Sequence, residues 1–369
     1  MDKNNLENSD EILEKELEEP DYIGTPEKKK SKKRFLWPVL FILIAAASVW
    51  ALTAQSKDFT FVAFIKFLGT LDLKFVLLAF AAMMGFIIFE ALAIRTISSS
   101  FGYKRALWRN GTYSAADIYF SSITPSASGG QPASAIFMMH DKIPGPMVTV
   151  ILIVNLIMYT FSIIAIGIVA FILDPSKFIH FSTFSRILIV VGCVAQVGIA
   201  MLFITLLRHG RIIQKTGNFF ISLLAKIRII RKPDEKKEKL KKSIIKYKGY
   251  VHQIRDKKWM LLRAFIYNFL QRFSLILVTV FVFLAANDST APVEVGVAQT
   301  MVVLGSNTVP IPGAMGIADY LLLDCFGTNS TNLVLLSRAI SFYSCVIICG
   351  LTFFIRYAFI QFKKRRNKL

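Results

Sequence analysis

The chain has 369 residues, of which 54% are hydrophobic and only 18% charged, where a soluble domain carries roughly a quarter charged residues. Its formal net charge is +20, but the cations alternate with apolar runs of membrane length, which points to a polytopic membrane protein rather than a nucleic-acid binder. The four cysteines (Cys193, Cys325, Cys345, Cys349) lie in or beside apolar segments without disulfide or metal spacing, so a secreted disulfide scaffold is excluded along with a soluble enzyme.

Residues 1–34 read as a disordered charged tail, with ten acids between Asp2 and Glu27 followed by the basic run from Lys28 to Arg34. The apolar run that follows exceeds the roughly 7–15 residues of a signal core, and is read as a retained first span. A hydrocarbon core of about 30 Å needs roughly twenty apolar residues in a helix. Six segments meet that length: 35–54, 75–94, 147–173, 187–207, 259–286 and 333–360. Two more, 112–139 and 295–326, are apolar but interrupted by Pro and Gly. The predicted class is all-α integral membrane, with six spanning helices and two broken, re-entrant hairpins, or eight spans if both hairpins cross. Segment 208–258 reads as a basic loop lying against anionic headgroups, and 361–369 as a basic tail. No aromatic stacking pattern in that loop supports nucleic acid as a partner.

Charge asymmetry sets the expected orientation. With re-entrant hairpins, one side collects 8, 4, 1, 17 and 5 Lys+Arg in 1–34, 95–111, 140–146, 208–258 and 361–369. The other collects three in 55–74, two in 174–186 and none in 287–294 or 327–332. Both termini are therefore expected on the cytoplasmic side. Letting both hairpins cross would throw the cations of 208–258 outside.

The first break reads Thr124-Pro125-Ser126-Ala127-Ser128-Gly129-Gly130-Gln131-Pro132, and the second Pro310-Ile311-Pro312-Gly313-Ala314-Met315-Gly316, then Asp319. Proline lacks an N–H and glycine favours non-helical torsions, so each segment should be helix, unwound backbone, helix. Irregular backbone survives at membrane depth only when buried in protein or lining a wet cavity. The two units run in opposite senses, which marks an inverted-repeat arrangement with a site at the repeat interface. No residue-level similarity is read between the halves, so the symmetry is topological. Half-helices starting near Gln131 and Gly316 would aim free N–H groups at an anion, a lipid phosphate above all. Thr124, Ser126 and Ser128 read either as added hydroxyl donors or as helix caps.

Charges within apolar runs carry a large insertion penalty. Glu90, Arg272 and Arg338 are such residues, and Asp117 and Asp319 lie on the arms of the broken segments. Arg272 reads either as the partner of an acid such as Glu90 or Asp117, or as a phosphate contact or gate. Arg338 is the second candidate for phosphate, whereas Arg95, Arg263 and Arg356 read as interfacial. The histidines (His140, His180, His209, His252) share no ligand spacing, and no nucleophilic triad, Walker loop or metal cluster is present. No cofactor or metal is expected.

At the two breaks the sequence resembles the flippase-like transmembrane domain of lysylphosphatidylglycerol synthases. The motifs that carry this are Thr124-Pro125 with Gly129-Gly130-Gln131-Pro132, and Pro310-Ile311-Pro312-Gly313-Ala314-Met315-Gly316 with Asp319. Gln131 stands where that family's pattern has an acid, and Ala314 where it has a glycine. The resemblance covers roughly 35–360 and implies a bacterial inner-membrane protein that translocates a phospholipid, lysylphosphatidylglycerol among the candidates. Thr124, Pro125, Ser126, Gly129, Gly130, Gln131, Arg272, Pro310, Pro312, Gly313, Gly316, Asp319 and Arg338 are the expected substrate-binding residues. Full-length synthases carry a soluble catalytic domain after the membrane domain. Here nine residues follow the last span, so the stand-alone form is expected, with any aminoacyl transfer on a separate synthase protein. The alternatives are a membrane component of phosphatidylglycerol lysyltransferase and a transporter of polyprenyl-phosphate carriers.

Overall fold

The computed structural model describes residues 60–226, 233–307 and 309–366. The expected tail 1–34, the first span 35–54 and Thr308 lie outside the described residues. Everything regular among the described residues is helical.

Helix α1 (Phe61–Gly69) leads into α2 (Leu73–Ser100), where Asp72 caps the start by accepting the Lys74 N–H at 2.9 Å. The first broken segment is α3 (Leu107–Ile123), a turn at Pro125–Ala127, and α4 (Gly130–His140). Then come α5 (Gly145–Leu173), the short α6 (Lys177–His180), α7 (Thr183–Arg208), α8 (Gly210–Lys226), α9 (Pro233–Ile254) and α10 (Lys258–Ala285). The second broken segment is α11 (Pro292–Ser306), a turn at Pro312–Ala314, and α12 (Ile317–Phe326). Last are α13 (Thr331–Arg338), a π-helical stretch at Ala339–Ser344, and α14 (Cys345–Arg366).

Five of these helical stretches are long and apolar enough to cross a membrane: Leu73–Ser100, Gly145–Leu173, Thr183–Arg208, Lys258–Ala285 and Thr328–Gln361. They coincide with the expected spans after 35–54 and run a turn or so beyond most of them. α7 exposes Ile187, Val190, Val191, Val194 and Met201 along one face, as a helix bordering lipid does.

Each broken segment folds back on itself, α3 along α4 and α11 along α12. The mouth of the first hairpin closes where Arg105 Nη2 donates to the Asp141 carbonyl at 2.7 Å, beside the start of α10. The mouth of the second lies at the other end of the bundle, where Asp324 accepts the Ser182 N–H at 2.8 Å and Lys177 pairs with Glu294 at 2.8 Å. Between these ends the two turns pack against each other.

The packing partners pair off across the two halves. α2 lies on α3 as α10 lies on α11; α4 on α5 as α12 on α13; α14 on α3 as α5 on α11. Among the described residues α2 packs most extensively with α10. Polar side chains link the helices inside this apolar bundle: Asn268 Nδ2 donates to Asn155 Oδ1 at 3.1 Å, and the Thr279 and Ser337 hydroxyls meet at 2.7 Å.

Within the segment 208–258, expected as a basic loop between spans, the described residues form the two helices α8 and α9. α8 and α9 pack together, and α9 seats Ile244, Tyr247, Tyr250 and Ile254 against the bundle. Burial pushes the Tyr247 hydroxyl up to about 12, so it stays protonated and donates to the Leu206 carbonyl at the end of α7, 3.1 Å away. α14 continues to Arg366, into the expected basic tail.

Candidate functional site

The two turns share a backbone plan as far as their alanines, and part from it at Ser128-Gly129 and Met315-Gly316. Thr124 and Ile311 are extended (φ −115° and −110°), each is followed by Pro-x-Ala, and Ala127 and Ala314 both take left-handed torsions (φ 53° and 50°). Reading on gives Pro125-Ser126-Ala127-Ser128-Gly129 beside Pro312-Gly313-Ala314-Met315-Gly316, a Pro-x-Ala-x-Gly match in each half. The match is confined to these three positions of each turn. The likeness escapes a scan of the sequence because the residues around it differ.

In the first turn the Thr124 hydroxyl donates to the Phe120 carbonyl at 2.6 Å and accepts the Gly129 N–H at 2.9 Å, closing the end of α3 onto the start of α4. Gly130 is fixed by contact. A methyl group there would overlap the Asp117 carboxylate and the Ser121 hydroxyl. Pro125 is half-buried, Ser128 and Pro132 are exposed, and Gln131 turns inward. In the second turn Pro312 is buried and Pro310 exposed. Gly313 has φ 59°, and a side chain on it would strike the Phe342 ring. Gly316 (φ 82°) starts α12, and its N–H is held by Asp319 Oδ2 at 2.9 Å.

Two arginines stand beside these turns in different states. Arg338 pairs with Asp319 at 2.7 Å, donates through Nη2 to the Gly313 carbonyl at 3.2 Å, and lies over Phe342 at 4.8 Å. It is a clamp that holds the second turn. Arg272 lies between aromatic faces, 4.1 Å from the Tyr159 ring centre and 5.3 Å from that of Phe86. Its Nε is buried without a hydrogen-bond partner, and no carboxylate among the described residues forms a direct ion pair with it. Beside it is a crevice of about 10 Å³, room for a single water, lined by Ile163, Ile166, Leu275, Ile276, Thr300, Val303 and Leu304.

A buried polar cluster connects Arg272 to the first turn. Gln271 Nε2 donates to Glu90 Oε2 at 2.9 Å, Gln131 Nε2 donates to Asp117 Oδ2 at 2.6 Å, and Ser121 donates to Asp117 Oδ1 at 3.1 Å. The Glu90 and Asp117 carboxyls adjoin, and both lie within electrostatic range of Arg272. Gln131 thus serves as a neutral donor where an acid would confront two carboxyls with one guanidinium.

Of the residues expected from sequence, Gln131, Arg272, Asp117 and Glu90 are brought into one cluster, and Gly313, Gly316, Asp319 and Arg338 into another. Gln271 and Tyr159 were missed; a glutamine beside an arginine in an apolar run is a signal for the first, and nothing local marks the second. Arg356, read as interfacial, is buried (8% exposed): it pairs with Asp141 at 2.8 Å and lies over Trp108 at 4.8 Å, while Tyr113 donates to the same carboxylate at 2.6 Å. A cation near a helix end looks interfacial in sequence, and only the fold brings Asp141 to it.

No curated protein matches the chain. Residues 38–349 match the family described as the lysylphosphatidylglycerol synthase TM region, a stretch that includes both turns, both arginines and the buried carboxyls. Since that match spans most of the sequence, the chain belongs to the lysylphosphatidylglycerol synthase transmembrane-region family.

Proposed function

We propose that the protein moves a phospholipid between leaflets, its headgroup passing the paired turns while its tails stay in lipid. The observation that carries this reading is the contact between two Pro-x-Ala-x-Gly turns, one from each half, each opening a half-helix inside the bundle. Half-helix starts favour an anion, and Arg272 supplies a partly buried guanidinium whose Nε–H has no hydrogen-bond partner. In this reading the hairpins dip into the bacterial inner membrane from opposite faces as inverted repeats, and both termini are cytoplasmic. Arg338 then fixes the second turn, and Arg272 meets the phosphate. Lysylphosphatidylglycerol is the headgroup that the family match favours.

Reconstituted vesicles with fluorescent lipids and an impermeant quencher test this. Faster leaflet exchange than in protein-free vesicles is expected for at least one of phosphatidylglycerol, its lysyl ester and phosphatidylethanolamine. No acceleration for any of them overturns the reading. The Arg272→Gln protein should exchange lipid at least about tenfold more slowly, the loss of one charge-assisted contact.

The family match also favours a second reading, a membrane component of aminoacyl-lipid synthesis that works with a synthase on another chain. Lipid extracts separate the two. Loss of total aminoacyl-lipid on deletion favours synthesis, and an unchanged total with altered leaflet distribution favours translocation.

A further inference from the structure

A cavity larger than the crevice beside Arg272 lies away from the turns. It is a groove of about 650 Å³ between the end of α2 and the start of α10, within the usual size range for ligand sites. Lys104, Lys257 and Arg263 line it together with Thr96, Trp259 and Met260, and no carboxylate among the described residues does. Lys257 is already committed: its Nζ donates to the Ser100 carbonyl at 2.8 Å and lies 5.2 Å from the Phe101 ring centre. That contact neutralises the negative end of α2, which would otherwise repel an anion. Lys104 and Arg263 are exposed and have no ion-pair partner among the described residues. α10 begins without a side-chain cap, so first-turn N–H groups at Trp259 and Met260 remain available on the groove wall.

Below the groove the surface turns apolar. Trp259 is 75% exposed, and Leu262 (46%) and Ile266 (44%) continue its face at helical spacing. On α2, Ile88 and Met84 are exposed along the face that carries Arg95, next to Thr96. A cationic cup opening onto two lipid-facing stripes, with a tryptophan at the boundary, has the form of an interfacial headgroup site.

We propose that this groove binds the phosphate of an anionic phospholipid, with Lys104 and Arg263 on the headgroup and the acyl chains lying along α2 and α10. The site is at the edge of the bundle, apart from the turns. It stands or falls independently of translocation, because binding is measured without any leaflet exchange.

The full-length protein in detergent is titrated calorimetrically with dioctanoyl phosphatidylglycerol, dioctanoyl phosphatidylcholine and inorganic phosphate. Phosphatidylglycerol should bind tightest, and inorganic phosphate should not displace it at equal concentration. Lys104→Gln with Arg263→Gln should weaken phosphatidylglycerol binding about 25-fold, about fivefold per cation, and leave phosphatidylcholine within about twofold. An unchanged affinity in the double variant overturns the site, and equal competition by inorganic phosphate overturns its assignment to a lipid. Should the double variant not fold, the protein with Trp37, Trp50 and Trp108 replaced by Phe serves instead. Brominated phosphatidylglycerol in nanodiscs should quench Trp259 more strongly than brominated phosphatidylcholine, and equal quenching overturns the proposal.

Discussion

Arg272 and Arg338 are both guanidiniums laid on aromatic rings, yet their surroundings give them different work. Arg338 neutralises Asp319, which is 1% exposed, so Arg338→Gln leaves a buried carboxylate unpaired. A loss of about 3–5 kcal/mol is expected, read as a lower melting temperature of the purified protein. Gln131→Ala tests the polar cluster, since it leaves Asp117 Oδ2 without its 2.6 Å donor. A destabilisation of about 1–3 kcal/mol is expected. That Arg272, Arg338, Glu90 and Asp117 need partners inside the bundle was legible in the sequence, because charge in an apolar run is costly wherever it falls. Which acid meets which base was not, because Asp319 and Arg338 meet only through the turn that folds α13 back on α12, and Asp141 and Arg356 through helices far apart in the chain.

The turns are the elements on which the proposed translocation rests, and their backbone is strained in a paired way. Ala127 and Ala314 occupy left-handed torsions that disfavour a side chain by about 1–2 kcal/mol each. Ala127→Gly and Ala314→Gly should each raise the melting temperature, whereas Gly313→Ala, blocked by Phe342, should lower it. Cysteines placed singly in 125–127 and in 312–314, with the four native cysteines replaced by serine, should join through a short bifunctional thiol reagent. Failure of every such pair would contradict the contact between the turns. The breaks themselves were legible because Pro and Gly carry a local signal. Helices α8 and α9 were not, since their charge density reads as a loop until the spacing of Ile244, Tyr247, Tyr250 and Ile254 is recognised as one buried face.

At the scale of the molecule, five long helices were placed correctly from apolar length alone, and their alternation follows from the chain. The opposed mouths of the hairpins give a prediction about sidedness. In intact cells a cysteine substituted at Asn329 should react with an impermeant thiol reagent, and cysteines at Lys142 and Arg255 only after the membrane is opened. The mouths are also bolted to foreign helices. Asp141 ties the first to α14 through Arg356, and Asp324 and Glu294 tie the second to the start of α7 and to α6. Such anchorage leaves the hairpins like tweezers held at the handles, so that any opening for cargo would come from the points parting rather than from a swing of either half.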